Sequence, residues 1–204
     1  MSSKYNENDS SGSSGSSNIV AIAGLNLALS YENAAVDRLE KRLSESIVPE
    51  VKDRLRHHLE QTKEQQERLR ERISALAGME PTNEKGRLPV PEPPKQLKML
   101  IENTSSDRER EVWESLNDLI IERAEAIMYK GGIQALQLLK ADKKTVKVLE
   151  RNLKEEESFG DWLEKNNPKI AKRLMTLQME EKKKHGKKKK VTINKEEAAL
   201  TAST

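Results

Sequence analysis

Residues 25–43, LNLALSYENAAVDRLEKRL, carry apolar side chains at the spacing of an α-helix. The positions that share one face, at alternating steps of four and three residues, are Leu25, Leu29, Glu32, Val36, Leu39 and Leu43. Side chains three and four residues apart lie on the same side of a helix, so this face is expected to pack against other helices. Glu32 falls within the apolar row, and we therefore expect its carboxyl group to lie inside the protein.

The same spacing predicts three further helices. Their expected bounds are Pro49 to about Leu76, a start at Ser106 or Asp107 as N-cap, and a fresh start after a break near Ala141 and Asp142. The last of these helices carries Glu156 within its apolar row, as the counterpart of Glu32. Four amphipathic helices in one chain are typical of a four-helix bundle, so the sequence predicts an all-α fold of this class.

The connection between the second and third helices is long and rich in proline. Residues 78–94, GMEPTNEKGRLPVPEPP, contain five of the seven prolines of the chain. Such a segment is stiff and extended. The whole connection between the second and third helices has about 30 residues, which is long enough to return the chain along a helix of about 45 Å. We therefore expect a long proline-rich crossover between helices 2 and 3, with the third helix parallel to the second. Residues 95–103, KQLKMLIEN, are compatible with an additional short helix.

One folded domain is predicted between two tails. Residues 1–17 form a Ser/Gly-rich segment that we expect to be disordered, because its few apolar residues cannot offset the entropy lost on ordering. The bundle is expected over residues 18–166, followed by a short C-terminal helix over residues 167–181 that starts at Pro168. Residues 182–204 are expected to be a basic disordered tail.

The composition excludes several classes of protein. Charged residues make up 35% of the chain and aromatic residues 3%, which fits long solvated helices and argues against a sheet sandwich. The chain contains no cysteine, which excludes disulfides, thiolate catalysis and cysteine-ligated metals. No Gly-rich phosphate loop, GxSxG or HExxH motif occurs, so nucleotide-binding and hydrolase functions have no support.

The most apolar stretch of the chain lacks the features of a targeting segment. It runs from about Ile19 to Leu29, is interrupted by Asn26 and is preceded by serine and glycine rather than by basic residues. It is also too short to span a bilayer. We therefore predict no signal peptide and no membrane span, and we expect a cytoplasmic protein.

Polar residues interrupt the apolar row of each predicted helix near its middle. The candidate metal ligands are Glu32, His58, Glu60, Glu122, Glu125 and Glu156. Di-iron bundles hold two metal ions through a Glu from each of two helices and a Glu-x-x-His motif from each of the other two. Buried carboxylates are unfavourable unless a cation neutralises them. The sequence thus predicts a di-metal site for iron or manganese, although no histidine follows Glu60 or Glu156 three residues later.

Two further hypotheses need no metal cofactor. In the first, Arg123 lies at the same depth and donates hydrogen bonds to Glu32 and Glu156, so that a guanidinium replaces the charge of the metal. In the second, Glu32 and Glu156 lie at the edge of the bundle and form ordinary ion pairs. The residue pattern alone leaves all three hypotheses open.

A cluster of lysines lies near the C-terminus. Its members are Lys182, Lys183, Lys184, Lys187, Lys188, Lys189 and Lys190. The net charge of +3 is too small to make the whole protein a nucleic-acid binder, so a basic function would come from this cluster. Lysines bind phosphate backbones with strong salt dependence, but no aromatic residues are interleaved here to read sequence. We expect either nucleic acid or another acidic partner at this tail, or a tail that serves solubility.

Four segments resemble the YciE/YciF family of ferritin-like proteins, a bacterial and archaeal group of stress-associated helical bundles. They are YENAAVDRLEKRL at 31–43, HHLEQTKEQQERLRERI at 57–73, ERAEAIMYKGG at 122–132 and LERNLKEEESFGDWL at 149–163. The resemblance covers about residues 18–165. It implies a ferritin-like bundle, often dimeric, that can hold a dinuclear metal centre and has no assigned reaction.

The resemblance also implies roles for individual positions. The positions where the family carries inward acidic residues are Glu32, Glu60, Glu122, Glu125 and Glu156. The chain departs from the family pattern at Gln61 where a second Glu is usual, Gln65 where a His is frequent, Arg123 where a His follows the Glu, and Gly160 where an Asp is usual. These differences predict a weakened metal site, and they leave the fold unaffected because the apolar rows do not depend on them.

Two classes of function follow from these observations. In the first, the protein acts in stress protection, and a bound iron or manganese pair would make it an enzyme of oxidation or peroxide removal. In the second, it is a non-catalytic helical module that forms a homodimer and uses its lysine tail on an acidic partner.

Overall fold

The structure, a computed structural model, describes residues 11–76, 79–88, 95–103 and 106–201. Every regular element in this part of the chain is helical, which confirms the predicted all-α bundle. The helices are α1 (Ser11–Glu45), α2 (Pro49–Leu76), α3 (Lys95–Glu102), α4 (Asp107–Leu138) and α5 (Lys143–Thr201). The four long helices α1, α2, α4 and α5 form the bundle, and α3 is the short helix that the sequence allowed.

The hydrogen bonds between helices fix their directions. Residues from the end of α1 contact the start of α4, as in the Arg42–Glu111 pair, and Tyr129 late in α4 contacts Glu32, so α1 and α4 are antiparallel. The start of α5 pairs with the end of α2, and α5 runs antiparallel to α4 as well. Therefore α2 and α4 are parallel, as expected. The proline-rich crossover itself stays a prediction, because residues 89–94 lie outside the described part of the chain.

Two apolar clusters form the core, and a level of polar residues separates them. The first cluster contains Leu25, Leu29, Leu69, Ile73, Ile133 and Leu149. The second contains Leu39, Val51, Leu55, Phe159, Leu163, Ile170 and Leu174. In sequence, Glu32 lies between the α1 members of the two clusters, and Glu156 lies between those of α5. The bundle thus holds its polar residues in the middle and is closed by apolar contacts at both ends.

The starts of α4 and α5 agree with the predicted N-cap at Ser106 or Asp107 and with the predicted break near Ala141 and Asp142. Ser106 is the N-cap of α4, and its side chain accepts a hydrogen bond of 3.2 Å from the backbone N–H of Arg108. Asp142 precedes α5 and accepts a hydrogen bond of 2.9 Å from the backbone N–H of Lys144. Such side-chain oxygens satisfy backbone donors that have no partner within the helix.

The helices extend further than the sequence predicted. Helix α1 begins at Ser11, inside the segment expected to be a tail, while residues 1–10 lie outside the described part. Helix α5 continues through Pro168 to Thr201, so the separate helix expected over residues 167–181 does not form as a distinct element. Proline removes one backbone hydrogen bond, but the buried Ile170 beyond it holds the helix in the second cluster. Beyond the bundle, Lys, Glu and Ala favour continuation of an existing helix.

Residues 79–88 form an extended segment that packs along α1. Asn33 Nδ2 donates hydrogen bonds to the carbonyls of Thr82 (3.2 Å) and Glu84 (2.9 Å), and the backbone N–H of Gly86 donates to the Ser30 carbonyl at 2.8 Å. The close approach at Gly86 leaves no room for a side chain: an added Cβ would lie 2.9 Å from Tyr31 Cδ1.

We therefore expect Gly86→Ala to lower the free energy of unfolding by about 1–3 kcal/mol through overpacking. The matched control is Gly131→Ala in α4, where an added Cβ meets no atom within 4 Å. That substitution should be neutral or stabilise by about 0.5–1 kcal/mol, because alanine favours the helix. Urea unfolding of both variants, followed by circular dichroism, tests the contact. Equal effects of the two substitutions would show that the segment does not pack against α1.

One helix in the described residues, over Asn18–Glu45, is long and apolar enough to cross a membrane by length and composition. In the bundle, 44% of its most apolar window is buried. Core residues such as Leu25 and Leu29 contribute that apolar character. A buried core helix has the same composition as a membrane span, so the stretch is weak support for a membrane helix.

Candidate metal centre

Three buried side chains from three helices converge in the polar level of the bundle. His58 comes from α2, Glu122 from α4 and Glu156 from α5, and each is at most 1% exposed. His58 Nε2 lies 2.9 Å from Glu122 Oε2 and 3.5 Å from Glu156 Oε2. One nitrogen or oxygen from each of the three residues lies within 4.8 Å of the other two. We call these residues the His58–Glu122–Glu156 triad.

Neighbouring side chains hold each member of the triad in place. Gln65 Nε2 donates a hydrogen bond of 2.6 Å to Glu156 Oε1. Arg38 Nη2 donates one of 2.8 Å to Glu122 Oε1. The ring of His58 stacks on Phe159 with the ring centroids 4.3 Å apart. One oxygen of each carboxylate is thus tied to a protein donor, and the other oxygen faces the histidine.

The oxygens that face the histidine are short of partners. Among the described residues, Glu122 Oε2 and Glu156 Oε2 make no aligned hydrogen bond, and neither does Nδ1 of His58. Buried polar atoms without a partner are unfavourable by about 1–3 kcal/mol each. A cation between Nε2 and the two Oε2 atoms would satisfy these oxygens. For bonds of about 2.1 Å, adjacent donor atoms on one ion lie about 3 Å apart, so the triad fits one divalent metal ion.

The electrostatics of the two triad carboxyl groups differ. Burial would raise the pKa of Glu122, but the charges of His58 and Arg38 outweigh it and lower that pKa to about 2. Burial raises the pKa of Glu156 well above its ordinary value, and the negative charges of Glu122 and Glu32 raise it further. Two carboxylates at this distance repel each other unless a cation lies between them. The Glu156 carboxylate therefore gains most from a metal ion.

A second pair of buried acids lies at the same level, between α1 and α4. Glu32 accepts a hydrogen bond from the Tyr129 hydroxyl, which in turn accepts one of 3.0 Å from Asn152 Nδ2. Burial raises the pKa of Glu32 to about 8, partly offset by the Tyr129 hydrogen bond. Burial and the Glu122 charge raise the pKa of Glu125 well above its ordinary value. The centre thus contains four buried carboxyl groups from three helices.

Arg38, whose side chain is 20% exposed, supplies the guanidinium of this centre, and the expectation that Arg123 has this role is wrong. Arg38 lies 2.8 Å from Glu122 and 3.6 Å from Glu125. The Arg123 side chain is 34% exposed and pairs with Asp161 and Glu164 on the outside of α5. Successive residues on a helix point about 100° apart, so with Glu122 facing inward the next residue faces outward.

Glu60 also lies elsewhere than the sequence predicted. It is exposed on α2, two residues beyond the buried His58, and so it points away from the centre. The hypothesis that Glu32 and Glu156 lie at the edge of the bundle is wrong as well, because they are 2% and 1% exposed. Of the lysine cluster, Lys182, Lys183 and Lys184 are exposed on α5, and the side chains of residues 187–190 lie outside the described part.

A buried ion network that the residue pattern did not predict lies beside the centre. Arg42 Nε donates a hydrogen bond of 2.8 Å to Asp118 Oδ2, and Arg42 Nη2 donates one of 3.0 Å to Glu111 Oε1. Burial raises the pKa of Asp118, against the lowering effect of Arg42. Glu111, Asp118, Glu122 and Glu125 recur at helical spacing on α4, and Arg38 and Arg42 lie one turn apart on α1. That complementary spacing was the signal that could have revealed the network.

The raised pKa of Glu32 predicts a pH dependence of stability in metal-free protein. Its pKa is 4.5 when exposed and about 8 in the fold, so the folded state binds one more proton between these values. The stabilising contribution of the protonated group is complete below pH 4.5 and is lost as the pH rises towards 8. We expect this group to lower the free energy of unfolding by about 1.4 kcal/mol per pH unit in that window.

Urea unfolding at about pH 5.5 and about pH 8, in the presence of a chelator, measures this dependence. Glu32→Gln cannot ionise and should make the slope less steep, because Glu125 and Glu156 still contribute to it, whereas the exposed Glu60→Gln should leave it unchanged. An identical slope in all three proteins would show that Glu32 does not keep its proton in the fold.

Comparison with known proteins supports the helical-bundle fold of the chain. The family model described as Domain of unknown function (DUF892) matches residues 22–176. A crystal structure of a protein from Xanthomonas campestris pv. campestris has a TM-score of 0.63, with 18% identity, over 80% of this chain and 99% of that chain. At this identity the likeness concerns the fold alone. No curated protein matches the chain. By the extent of the family match, the chain belongs to the DUF892 family, which lies in the ferritin-like superfamily.

Proposed function

We propose that the protein binds an iron or manganese ion at the His58–Glu122–Glu156 triad. The observation that carries this proposal is the convergence of donor atoms from three helices within 4.8 Å of one another, including two buried carboxylate oxygens that make no aligned hydrogen bond with any described residue. Imidazole and carboxylate donors suit iron and manganese, and the chain has no thiolate to favour softer metals. The resemblance to YciE/YciF proteins points to the same metals.

We propose that the binding site for a second metal ion is weakened in this chain, and that the positive charge of Arg38 replaces the charge of that ion. Arg38 contacts Glu122 and Glu125, the acids that a second ion would share. Gln65 occupies the position where the related proteins often carry histidine. Its neutral amide donates a hydrogen bond to Glu156. In addition, Nδ1 of His58 has no hydrogen-bond partner among the described residues, whereas an oxygen partner usually orients a metal-bound histidine. One ion per chain, bound with modest affinity, follows from these three features.

A bound iron or manganese ion would supply redox chemistry suited to oxidation or peroxide removal in stress protection. The chain itself contributes the dry surroundings, since all members of the triad are buried. Gln65 and Arg38 orient the two carboxylates, and Glu32 accepts a hydrogen bond from the Tyr129 hydroxyl. A cytoplasmic location fits the absence of cysteine-based stabilisation and stays part of the proposal.

Metal content of protein expressed with iron or manganese tests the site. We expect about one equivalent per chain for the wild type and for Glu60→Gln, whose carboxylate is exposed, and a loss of at least tenfold in affinity for Glu156→Gln. Elemental analysis together with titration of the metal-free protein gives both values. Equal metal binding by the two variants would rule out the triad as the site.

A homodimer is part of the same proposal. Leu116, Ile120 and Ile127 are exposed large apolar residues along one face of α4. Exposed apolar rows of this kind mark contact surfaces between subunits. Sedimentation of the wild type should give a dimer, and Ile120→Glu combined with Ile127→Glu should give a folded monomer; a monomeric wild type would contradict the dimer.

The alternative function rests on the lysine-rich end of α5. Arg108 pairs with Glu181 at the point where α5 leaves the bundle. The exposed Lys182, Lys183 and Lys184 follow directly after Glu181 on α5. We propose that this end binds nucleic acid or another acidic partner through charge alone. Removal of residues 182–204 should abolish salt-sensitive retention on double-stranded DNA, and unchanged retention would end this proposal.

A further inference from the structure

A cleft opens between α1 and α4 on the side of the bundle away from His58. Its volume is about 290 Å³, and its walls are almost entirely apolar. Leu27 and Ala28 form the α1 wall, Met128 and Leu136 the α4 wall, and Leu149 of α5 the floor. An apolar cavity of about 150 Å³ holds one benzene ring, so this cleft has room for an apolar body of about ten carbon atoms.

The inner end of the cleft is acidic. Glu32, Glu125 and Tyr129 line it, and both glutamates are buried. The Glu32 carboxyl group accepts a hydrogen bond from the Tyr129 hydroxyl, and among the described side chains no cation lies within ion-pair distance of it. Glu125 has Arg38 at 3.6 Å, beyond hydrogen-bond distance. Among the described residues, Glu32 therefore has no ion-pair partner, and Glu125 shares the single guanidinium of Arg38 with Glu122 and Asp118.

The glycines of the cleft keep it open. Gly24 of α1 and Gly131 of α4 line it, and a Cβ added to either would meet no atom within 4 Å. These positions lie in helix interiors, where glycine is unfavourable by about 0.5–1 kcal/mol relative to alanine. Side chains at these positions would extend into the cleft rather than clash with the backbone. The open space therefore depends on glycine at these two positions.

We propose that this cleft binds a small amphiphilic amine, with its apolar body between α1 and α4 and its ammonium group between Glu32 and Glu125. An ammonium group has three donors and one positive charge, which complement two carboxyl groups that are removed from water. An alcohol offers a hydrogen bond without the charge, and a carboxylate ligand would be repelled. The site uses Glu32 and Glu125 of the polar level but none of the triad residues, so amine binding and metal binding at the triad are measured separately.

Binding of n-octylamine, 1-octanol and octanoate to metal-free protein tests the proposal by calorimetry. We expect one octylamine per chain, binding of octanol weaker by about tenfold or more, and no binding of octanoate. Glu32→Gln combined with Glu125→Gln should weaken octylamine by about tenfold and leave octanol unchanged. Gly24→Leu, which fills the cleft, should weaken both, and the exposed Glu60→Gln should change neither.

Three results would overturn the proposal. Equal affinity for octylamine and octanol in the wild type would show an apolar cavity without recognition of the amine. Octylamine binding that survives Gly24→Leu, or that weakens as much in Glu60→Gln as in the double variant, would place the amine on the general surface. No binding of any of the three probes would show that the cleft takes no such ligand. Metal content, measured in parallel, reports on the triad separately.

Discussion

Replacement of Arg38 by methionine is expected to lower the free energy of unfolding by about 3–5 kcal/mol at neutral pH. Arg38 lies 2.8 Å from Glu122, 3.5 Å from Asp118 and 3.6 Å from Glu125. Methionine keeps much of the apolar stem but removes the guanidinium, so three buried acids lose a shared positive partner. A buried charge left without its partner is far more unfavourable than a broken pair on the surface.

The matched control for this prediction is Arg123→Met. Arg123 also forms two ion pairs, but with Asp161 and Glu164 at the surface of the bundle. Water solvates these acids after the substitution, so we expect a change of at most about 1 kcal/mol. Urea unfolding of both variants in a chelator gives the comparison. If Arg123→Met were as destabilising as Arg38→Met, the assignment of Arg38 as the cation of the centre would be wrong.

Replacement of Phe159 by alanine is expected to remove about 3–5 kcal/mol of stability and also to weaken metal binding. Phe159 is fully buried in the second core cluster, so its removal leaves a large cavity. Its ring also stacks on His58 at 4.3 Å between centroids and is the neighbour that fixes the orientation of the imidazole. A histidine free to rotate would present Nε2 to the two carboxylates for less of the time.

The control variant is Leu163→Ala, which removes another fully buried residue of the same cluster. We expect it to lose about 2–5 kcal/mol of stability and to keep the wild-type affinity for manganese, because it is not stacked on His58. Unfolding and metal titration of both variants, at a temperature where both are folded, separate the two effects. The same loss of metal affinity in both variants would mean that Phe159 acts only through stability.

The apolar spacing of the helices was sufficient to predict the bundle. The alternation of three and four residues around Leu29 and Leu39 predicted a core helix, and both side chains are fully buried. Ser106 or Asp107 was predicted to cap α4, and Ser106 is the cap. Such features are local, because helix periodicity and capping depend on residues within a few turns of one another.

The polar centre was only partly predictable, since it depends on contacts between helices. Glu32, His58 and Glu156 occupy apolar rows in the sequence, and all three are buried. Glu60 and Arg123 each lie one or two residues from a buried position, and that small difference in register turns them outward. Arg38 was missed because nothing within α1 distinguishes it from a surface arginine; its three acidic partners all come from α4.

The cleft between α1 and α4 had no signature in the sequence at all. Spacing reports which residues of a helix face inward, but not how closely two helices approach each other. Gly24, Gly131 and Gly132 line the cleft. A glycine within a helix pattern does not by itself indicate whether a cavity lies beside it.

A crystal grown with manganese, with data collected at the wavelength where manganese scatters anomalously, tests the metal centre most directly. We expect a single anomalous peak per chain, about 2.1 Å from His58 Nε2 and from an oxygen of Glu122 and of Glu156. No peak at this position, or manganese bound only to exposed acids such as Glu60, would contradict the proposed site.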